Sequence, residues 1–500
     1  MLPRSYIVRL SLLILLFVSF TAPVCAQFTM RKLVVPHVEP DSADWRHYRH
    51  RKHHWRAAGL VVGLNLGVWG FDRYILNEDF ARISGKTIRR NFKHGFVWDN
   101  DQMGTNLFLH PYHGNLYYNA ARSNGVSFWG SGGYAFMGSF MWEMFMENEY
   151  PSINDIIVTP IGGTVLGEVA FRSTDMILDD RASGRERWGR EIAAFIVAPT
   201  RGLTRLITGD AWKKRRTSGR QFGIPKLSVE LSGGVRLLEL RDDIFDEGAG
   251  FSTLFSVEYG DRYEADGQKP FDYFVFRGNL NVQSSQPLLG QINVMARLWG
   301  KDLVDDKNDY FGMGIYQHFD YYDSDTISDE SGKIPYKFAT PASFGFGLMH
   351  KSKRFSDWDF NSYAHFNGII IGASLSDHYQ VDNRNYNLCS GFGWKTGVSI
   401  SYKDKIGVSW WHENFRMFTW KGYPEGYDLS RIEDPKEVNF QGDKSVATLN
   451  ASNLRVDMRL KDRLYLTGMY TLYRRSTRYA YMPDVKSWSS DGKILLTYKF

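Results

Sequence analysis

The spacing of apolar residues divides the chain into two halves with different periods. Before about residue 217 the apolar positions recur at helical spacing: Trp55–Leu76, Tyr134–Glu147, Thr164–Leu178 and Glu186–Ile207 each predict a helix. Thr217–Pro225, which follows the basic run Lys213–Arg216, has the composition of a linker. Beyond Pro225 the period becomes two. Leu227, Val229, Leu231, Gly233, Val235 and Leu237 alternate with Ser228, Glu230, Ser232 and Arg236, and the same alternation returns along the rest of the chain. Strands are predicted at 226–240, 250–260, 271–283, 290–300, 309–321, 342–351, 357–374, 391–403, 405–416, 445–460, 463–475 and 492–500.

This pattern predicts an all-β transmembrane antiparallel β-barrel of about 12 strands, preceded by an α-helical N-terminal domain. Connection lengths support it. Segments 322–341, 375–390, 417–444 and 476–491 are long and polar, whereas 352–356, Asp404 and Lys461-Asp462 are short, as expected when long external loops alternate with short periplasmic turns. An even strand number returns both barrel ends to the short-turn side, so the helical domain is expected in the periplasm. The last strand places Ile494, Leu496, Tyr498 and terminal Phe500 on one face. A final aromatic after such a strand is similar to the signal read by the outer-membrane insertion machinery, an expected partner alongside the lipid bilayer. A soluble β-sandwich would alternate too, but it would not require the chain to end inside a strand.

Composition changes the picture at three points. Aromatic residues make up 15% of the 500 residues although the mean hydropathy is −0.36, which suits a barrel with apolar residues outside and polar ones in its lumen. Arg4 and Arg9 precede the short apolar run Leu10–Phe20 and Val24-Cys25-Ala26, which predicts a cleaved signal peptide over residues 1–26 and export to the cell outer membrane. Cleavage leaves Cys389 alone, excluding an intramolecular disulfide or a cysteine metal cage. The expected domains are thus 1–26 (signal), 27–216 (helical), 217–225 (linker) and 226–500 (barrel). The formal charge of +6 is uneven: residues 27–220 carry 26 Lys+Arg against 19 Asp+Glu, and residues 221–500 carry 33 against 36. A basic helical half suits anionic lipid headgroups or, more simply, a solvated face of mixed charge.

Common catalytic motifs fail. Gly85-Lys86-Thr87 has Phe80 where a phosphate loop needs its leading glycine, and Gly130–Ala135 follows no strand, so it is no dinucleotide fingerprint. The candidate chemistry lies in Asn106–Asp155, where His110 and His113 flank a proline turn and Glu143 and Glu147 lie one helical turn apart on an apolar strip. Carboxylates there are costly to bury unless they bind a cation, accept hydrogen bonds or share a proton. His110, His113, Glu143 and Asp155 are therefore candidate catalytic residues, either around a divalent metal or with a histidine as general base; no other cofactor is expected. The structural alternative pairs the glutamates with Arg122 and Arg172. The tract Trp45–Arg56 interleaves bases with aromatics, and Arg46, Arg49, Arg51 and Lys52 are candidates for lipid-phosphate binding. No nucleic-acid partner is expected for an exported chain.

The block HPYHGNLYYNAARSNG, with WEMFMENEYPSINDIIVTPIGGTVLGE downstream, resembles a bacterial envelope family known as domain of unknown function 3943 over roughly residues 90–180. His110, Pro111, Tyr112, His113, Gly114, Tyr117, Arg122, Glu143, Glu147, Pro151, Asp155, Gly162, Gly163, Glu168 and Arg172 fall in or beside the shared block. The resemblance implies an exported envelope protein, often with a barrel-like C-terminal region, and brings no catalytic residue with it. Function therefore stays at the level of an outer-membrane protein interacting with envelope lipid or solute; the alternative is a membrane-embedded hydrolase acting on envelope lipid.

Overall fold

The computed structural model describes residues 52–240, 249–282, 286–324, 334, 336–381, 383–429 and 438–500. The predicted signal peptide and Arg46, Arg49 and Arg51 lie outside them. The chain forms two compact units, one comprising residues to Asp99 with Leu109–Pro225, the other Asn100–Phe108 with Lys226–Phe500.

The second unit is a closed antiparallel barrel of twelve strands. They are β1 (Leu227–Leu240), β2 (Ala249–Tyr259), β3 (Phe274–Val282), β4 (Leu289–Asp305), β5 (Asp309–Asp323), β6 (Lys337–Ser352), β7 (Trp358–Leu375), β8 (Tyr386–Tyr402), β9 (Ile406–Phe418), β10 (Ser445–Lys461), β11 (Leu464–Tyr479) and β12 (Val485–Lys499). β1 pairs with β12 in the register Val235↔Ile494, so neither end strand is left with an open edge. Every predicted strand forms. Three start earlier than their alternation suggests: β6 at Lys337, β8 at Tyr386 and β12 at Val485. In β6 the cause is Pro341, which breaks the pattern but is accommodated by register shifts between Ala339 and Ser343. β12 gains a polar stretch that continues its pairing with β11 as far as Thr477↔Val485, shortening the loop expected at 476–491. Lys403 and Asp404 both adopt positive φ, the conformation a two-residue hairpin turn requires.

The barrel has an outward apolar and inward polar pattern. Phe346, Leu348, Phe366, Trp394, Trp410, Leu454, Val456, Ile494 and Leu496 are exposed on the outer surface, while Asp320, His365, Lys395, Glu413, Asn453, Arg475 and Asp491 are buried on the opposite face of the strands. Towards the long-loop end the interior is filled by Tyr322, Tyr336, Phe338, Phe415, Met417, Leu449 and Tyr473, with Tyr336 and Tyr473 stacked at 3.9 Å. Beside this layer lie two buried ionic groups. Lys395 Nζ reaches Asp320 at 2.5 Å and Glu413 at 3.4 Å, and Asp491 accepts from Arg236 at 3.0 Å and Lys493 at 2.8 Å. This layer is packed like a protein core rather than an open water-filled bore. On its other side, between Glu230, Arg277, Tyr363, Trp411 and Arg455, a cavity of about 320 Å³ remains.

The helical unit contains α1 (His54–Phe71), α2 (Gly85–His94), α3 (His110–Arg122), α4 (Phe128–Phe145), α5 (Ile153–Ile177), α6 (Gly184–Val197) and α7 (Pro199–Thr208). The predicted helix Glu186–Ile207 is two helices, because Pro199 cannot donate the backbone bond that would carry α6 onward. α5 starts eleven residues before its predicted position and holds Pro160 in its interior. Tertiary contacts on both sides bury most of its residues and outweigh the proline's local cost. α2 is short and polar on average, with a Ser84–Thr87 capping box and a narrow apolar strip of Ile88 and Phe92, and α3 carries polar residues around its circumference, so neither has a wide apolar face.

If the barrel interior is a packed core, removing the cation from the Lys395 group leaves Asp320 and Glu413 buried without it. Lys395→Met should destabilise the detergent-solubilised barrel by about 3–5 kcal/mol, read from urea-induced unfolding. An unchanged midpoint would show that this layer is hydrated and adds nothing to stability.

Candidate functional site

The site is set by one close helix crossing. A Cβ on Gly114 would lie 1.9 Å from the Thr159 carbonyl oxygen, and one on Gly163 2.5 Å from the Gly114 carbonyl carbon, so α3 and α5 touch through their backbones. Gly138 of α4 is covered by the Tyr117 ring and Gly167 of α5 by the Tyr118 ring in the same manner. Much of the glycine and tyrosine pattern in the family-like block is thus required for packing. The proline turn expected at His110–His113 is instead helical: α3 continues directly from a π-helical turn, Thr105–Leu109, and the wider turn just before Pro111 is where the helix absorbs its missing N–H. The two histidines consequently lie three residues apart on a helix.

His110 turns towards the acidic residues. Its Nε2 lies 3.8 Å from Asp155 Oδ2, and one ligand atom from each of His110, Glu143 and Asp155 falls within 4.8 Å of the other two. These residues come from α3, α4 and the first turn of α5. Ser152 caps α5 by accepting from Asp155 N at 3.1 Å, and its own backbone N–H donates to Glu143 Oε2 at 2.7 Å, linking the two acids through one residue. Asn154 Nδ2 donates to Asp155 Oδ1 at 2.9 Å. His113 points elsewhere, packed between the rings of Tyr117 and Trp142 at centroid distances of 4.5 and 5.1 Å. Burial pushes His113 down to about 3, with His110 adding to the shift, so His113 stays neutral.

Charge is the unusual feature here. Glu143 and Asp155 are almost fully buried, and no described Lys or Arg forms an ion pair with Glu143, Glu147 or Asp155. Burial raises all three well above the ordinary carboxylate range. Glu147 and Asp155 raise Glu143 further, and Asp99 raises all three. Asp99 lies outside the motif-rich block, and nothing in its local sequence distinguishes it from a loop aspartate.

The arginines expected as partners for these glutamates serve another residue. Glu168, fully buried on α5, accepts from Arg122 Nε at 2.8 Å, Arg172 Nε at 2.9 Å and the Tyr118 hydroxyl at 2.7 Å. Burial alone would raise Glu168, but the two guanidiniums outweigh it and hold the carboxyl below its ordinary value. The structural alternative for Glu143 and Glu147 therefore fails through competition: Arg122 and Arg172 are committed to Glu168. Tyr117 donates its hydroxyl to Asn65 at 2.5 Å and belongs to the packing. Lys52, the one described residue of the four basic candidates, is exposed.

Residues 95–200 match the family described as Domain of unknown function (DUF3943), the segment that contains both the cluster and the Glu168 network. No curated protein matches the chain. Among solved structures, the NanC porin covers 54% of this chain over its full length at 11% identity and a TM-score of 0.26. The toluene transporter TodX of Pseudomonas putida covers 56% over 90% of its own chain, at 8% identity and a TM-score of 0.22. The channel DcaP of Acinetobacter baumannii covers 55% over 96%, at 7% identity and a TM-score of 0.21.

The carboxylates dictate a pH response. Glu143, Glu147 and Asp155 bind protons more tightly folded than unfolded, so without a cation their stabilising contribution is complete below their unfolded values of 4.5 and 3.8. It is lost as pH rises through the raised folded values. His113 acts oppositely: its folded value near 3 lies below 6.5, so its contribution is present above pH 6.5 and is lost as pH falls towards 3. Glu143→Gln retains an acceptor for Ser152 and removes one buried charge. In EDTA at pH 8 it should therefore stabilise the full chain by about 1–3 kcal/mol, measured by thermal unfolding; a lower Tm would show that the Glu143 charge is compensated in the folded state.

Proposed function

We propose that this protein is an outer-membrane envelope protein whose helical unit is built around one divalent cation and whose barrel serves as a membrane anchor rather than an open conduit. The observation that carries the reading is the convergence of His110, Glu143 and Asp155 from three helices, with no Lys or Arg paired to the two acids among the described residues. One imidazole and two carboxylates suit zinc, manganese or iron, and ligands at about 2.0–2.2 Å from such an ion would draw together from the observed spacing of up to 4.8 Å. The ion would offset the charge on both acids and tie α3, α4 and α5 together near the Gly114–Gly163 crossing. Glu147 stands close enough to lower the site's potential further.

A membrane-embedded hydrolase acting on envelope lipid is the second reading, favoured by the same convergence. The geometry supports it less. His113 is held away from the acids, and none of the cavities lined by Glu230 and Arg277, by Arg56 and Arg205, or by Phe311 and Trp358 includes His110, Glu143 or Asp155. A catalytic centre needs a route by which substrate reaches it.

The long-loop end of the barrel is proposed to face outward, with Phe500, whose backbone N–H donates to the Val229 carbonyl, at the periplasmic rim, where the last strand would be presented to the insertion machinery. β1 begins at this rim, which is the support for placing the helical unit in the periplasm. Asn100–Phe108, part of the barrel unit, packs at the opposite end, where Asn106 donates to the Tyr386 hydroxyl at 2.9 Å and Phe108 meets Tyr321; this stands against the periplasmic placement, and the labelling experiment below decides it.

Two measurements address these points. Metal analysis of purified protein should find about one transition-metal ion per chain, lost in His110→Ala and Glu143→Ala; metal-free protein that gains no thermal stability from added manganese or zinc would remove the cation reading. For orientation, Lys86→Cys on exposed α2 should react with a membrane-impermeant maleimide only after the outer membrane is permeabilised, because Cys389 is buried. Labelling in intact cells would place the helical unit outside.

A further inference from the structure

A second cavity of about 320 Å³ lies within the helical unit and shares no lining residue with the acidic cluster. Arg56, Arg201, Arg205, Lys213 and Arg215 line it, and Asp210 is the sole carboxylate in its wall. Acidic side chains, Asp175 and Asp180 buried behind the wall, Glu191 half-buried and Asp210 in the wall itself, hold three of these guanidiniums in place. Arg201 pairs with Asp175 at 2.8 Å, Arg205 with Asp180 and Glu191 at 2.7 Å each, and Arg215 with Asp210 at 2.7 Å. Arg56 and Lys213 have no carboxylate within ion-pair distance among the described residues. Arg56 donates to Asn124 Oδ1, and Lys213 Nζ donates to the Thr208 carbonyl at 3.3 Å. The Ser123 hydroxyl, also in the wall, is buried with no hydrogen-bond partner among the described residues. Fixed guanidiniums, two uncompensated cations and an unused hydroxyl form a receptor for a phosphate-sized anion.

Beside the cavity runs an exposed apolar ridge. Trp188, Ile192 and Phe195 recur at i, i+4 and i+7 on α6, and Leu206, Ile207 and Trp212 follow from the end of α7. Trp188 and Trp212, 55% and 59% exposed, meet edge to face at 5.3 Å. Leu206 and Ile207 directly follow the cavity residue Arg205, and Trp212 precedes the cavity residue Lys213. Exposed Lys214 and Arg216 continue the basic surface. Tryptophan and aliphatic side chains next to a cluster of bases match the layering of a bilayer interface, with acyl chains next to headgroup phosphates.

We infer that the α6–α7 hairpin and Arg56 form a binding site for the phosphate headgroup of an anionic lipid, with the ridge Trp188–Trp212 against its acyl chains. A free phosphate would use the cavity but leave the ridge unexplained. A protein partner would have to match both an apolar ridge and a basic pocket, whereas a phospholipid carries both chemistries in one molecule. The site stands apart from the proposed cation centre and shares no residue with it.

The test is calorimetric titration of the full chain, in an uncharged maltoside detergent, with dihexanoyl phosphatidic acid, inorganic phosphate and dihexanoylglycerol. Phosphatidic acid should bind at one site per chain, and the double variant Arg56→Gln/Lys213→Gln should weaken it at least about tenfold, two charge-assisted contacts being removed. Trp188→Ala/Trp212→Ala should weaken phosphatidic acid without affecting inorganic phosphate. Unchanged phosphatidic acid affinity in the charge variant, or equal binding of dihexanoylglycerol, would overturn the headgroup site. Inorganic phosphate binding as tightly as phosphatidic acid would make this a free-anion site and overturn the lipid assignment. Both double variants leave the Arg201, Arg205 and Arg215 ion pairs intact, and retained far-ultraviolet circular dichroism separates lost binding from lost folding.

Discussion

The hydrogen bonds joining β1 to β12 are the constraint on which the second unit depends. In hydrocarbon an unpaired backbone N–H or C=O has no water to turn to, so a sheet crossing a membrane must close on itself. Glu230↔Lys499 through Leu240↔Ser489 complete that closure, and it requires the inward and outward faces of each strand to alternate. Lipid contact then takes apolar residues such as Phe366 and Ile494, while ionic groups such as Lys395 and Asp491 turn inward. With twelve strands the enclosed space is too wide to fill with small side chains alone, which accounts for the layer of Tyr322, Tyr336, Phe338, Phe415 and Tyr473.

Buried charge is handled in two distinct ways. Glu168 is matched by Arg122, Arg172 and Tyr118, and in the barrel Asp320 and Asp491 each meet a lysine, so those ions are neutralised where they lie. Glu143 and Asp155 are buried as deeply but, among the described residues, meet hydrogen-bond donors and a histidine in place of an Arg or Lys. Such groups either take up protons or attract a cation, and the nearby imidazole of His110 favours metal coordination. Glu168 and the acidic cluster differ because α5 turns Glu168 towards two arginines and Asp155 towards the ends of α3 and α4.

What the sequence alone determined is the barrel. A period of two over more than 250 residues leaves few foldable solutions, and a one-residue slip in any strand would expose its ionic face to lipid; the strand set and its parity were therefore legible. Pro341 and the polar start of β12 hid only the strand ends, where pairing to neighbours overrides local composition. The helical unit was less legible because tertiary contacts decide it. α3 looked like a proline turn until its Gly114 met Gly163 of α5, and the Arg56–Lys213 cavity joins residues more than 150 positions apart. The sequence marked His110, His113, Glu143 and Asp155 as unusual residue types in an apolar setting. Only the crossing of α3 and α5 decided that three of them converge, that His113 does not, and that Arg122 and Arg172 neutralise Glu168, because side-chain direction on a helix is known only once its neighbours are in place.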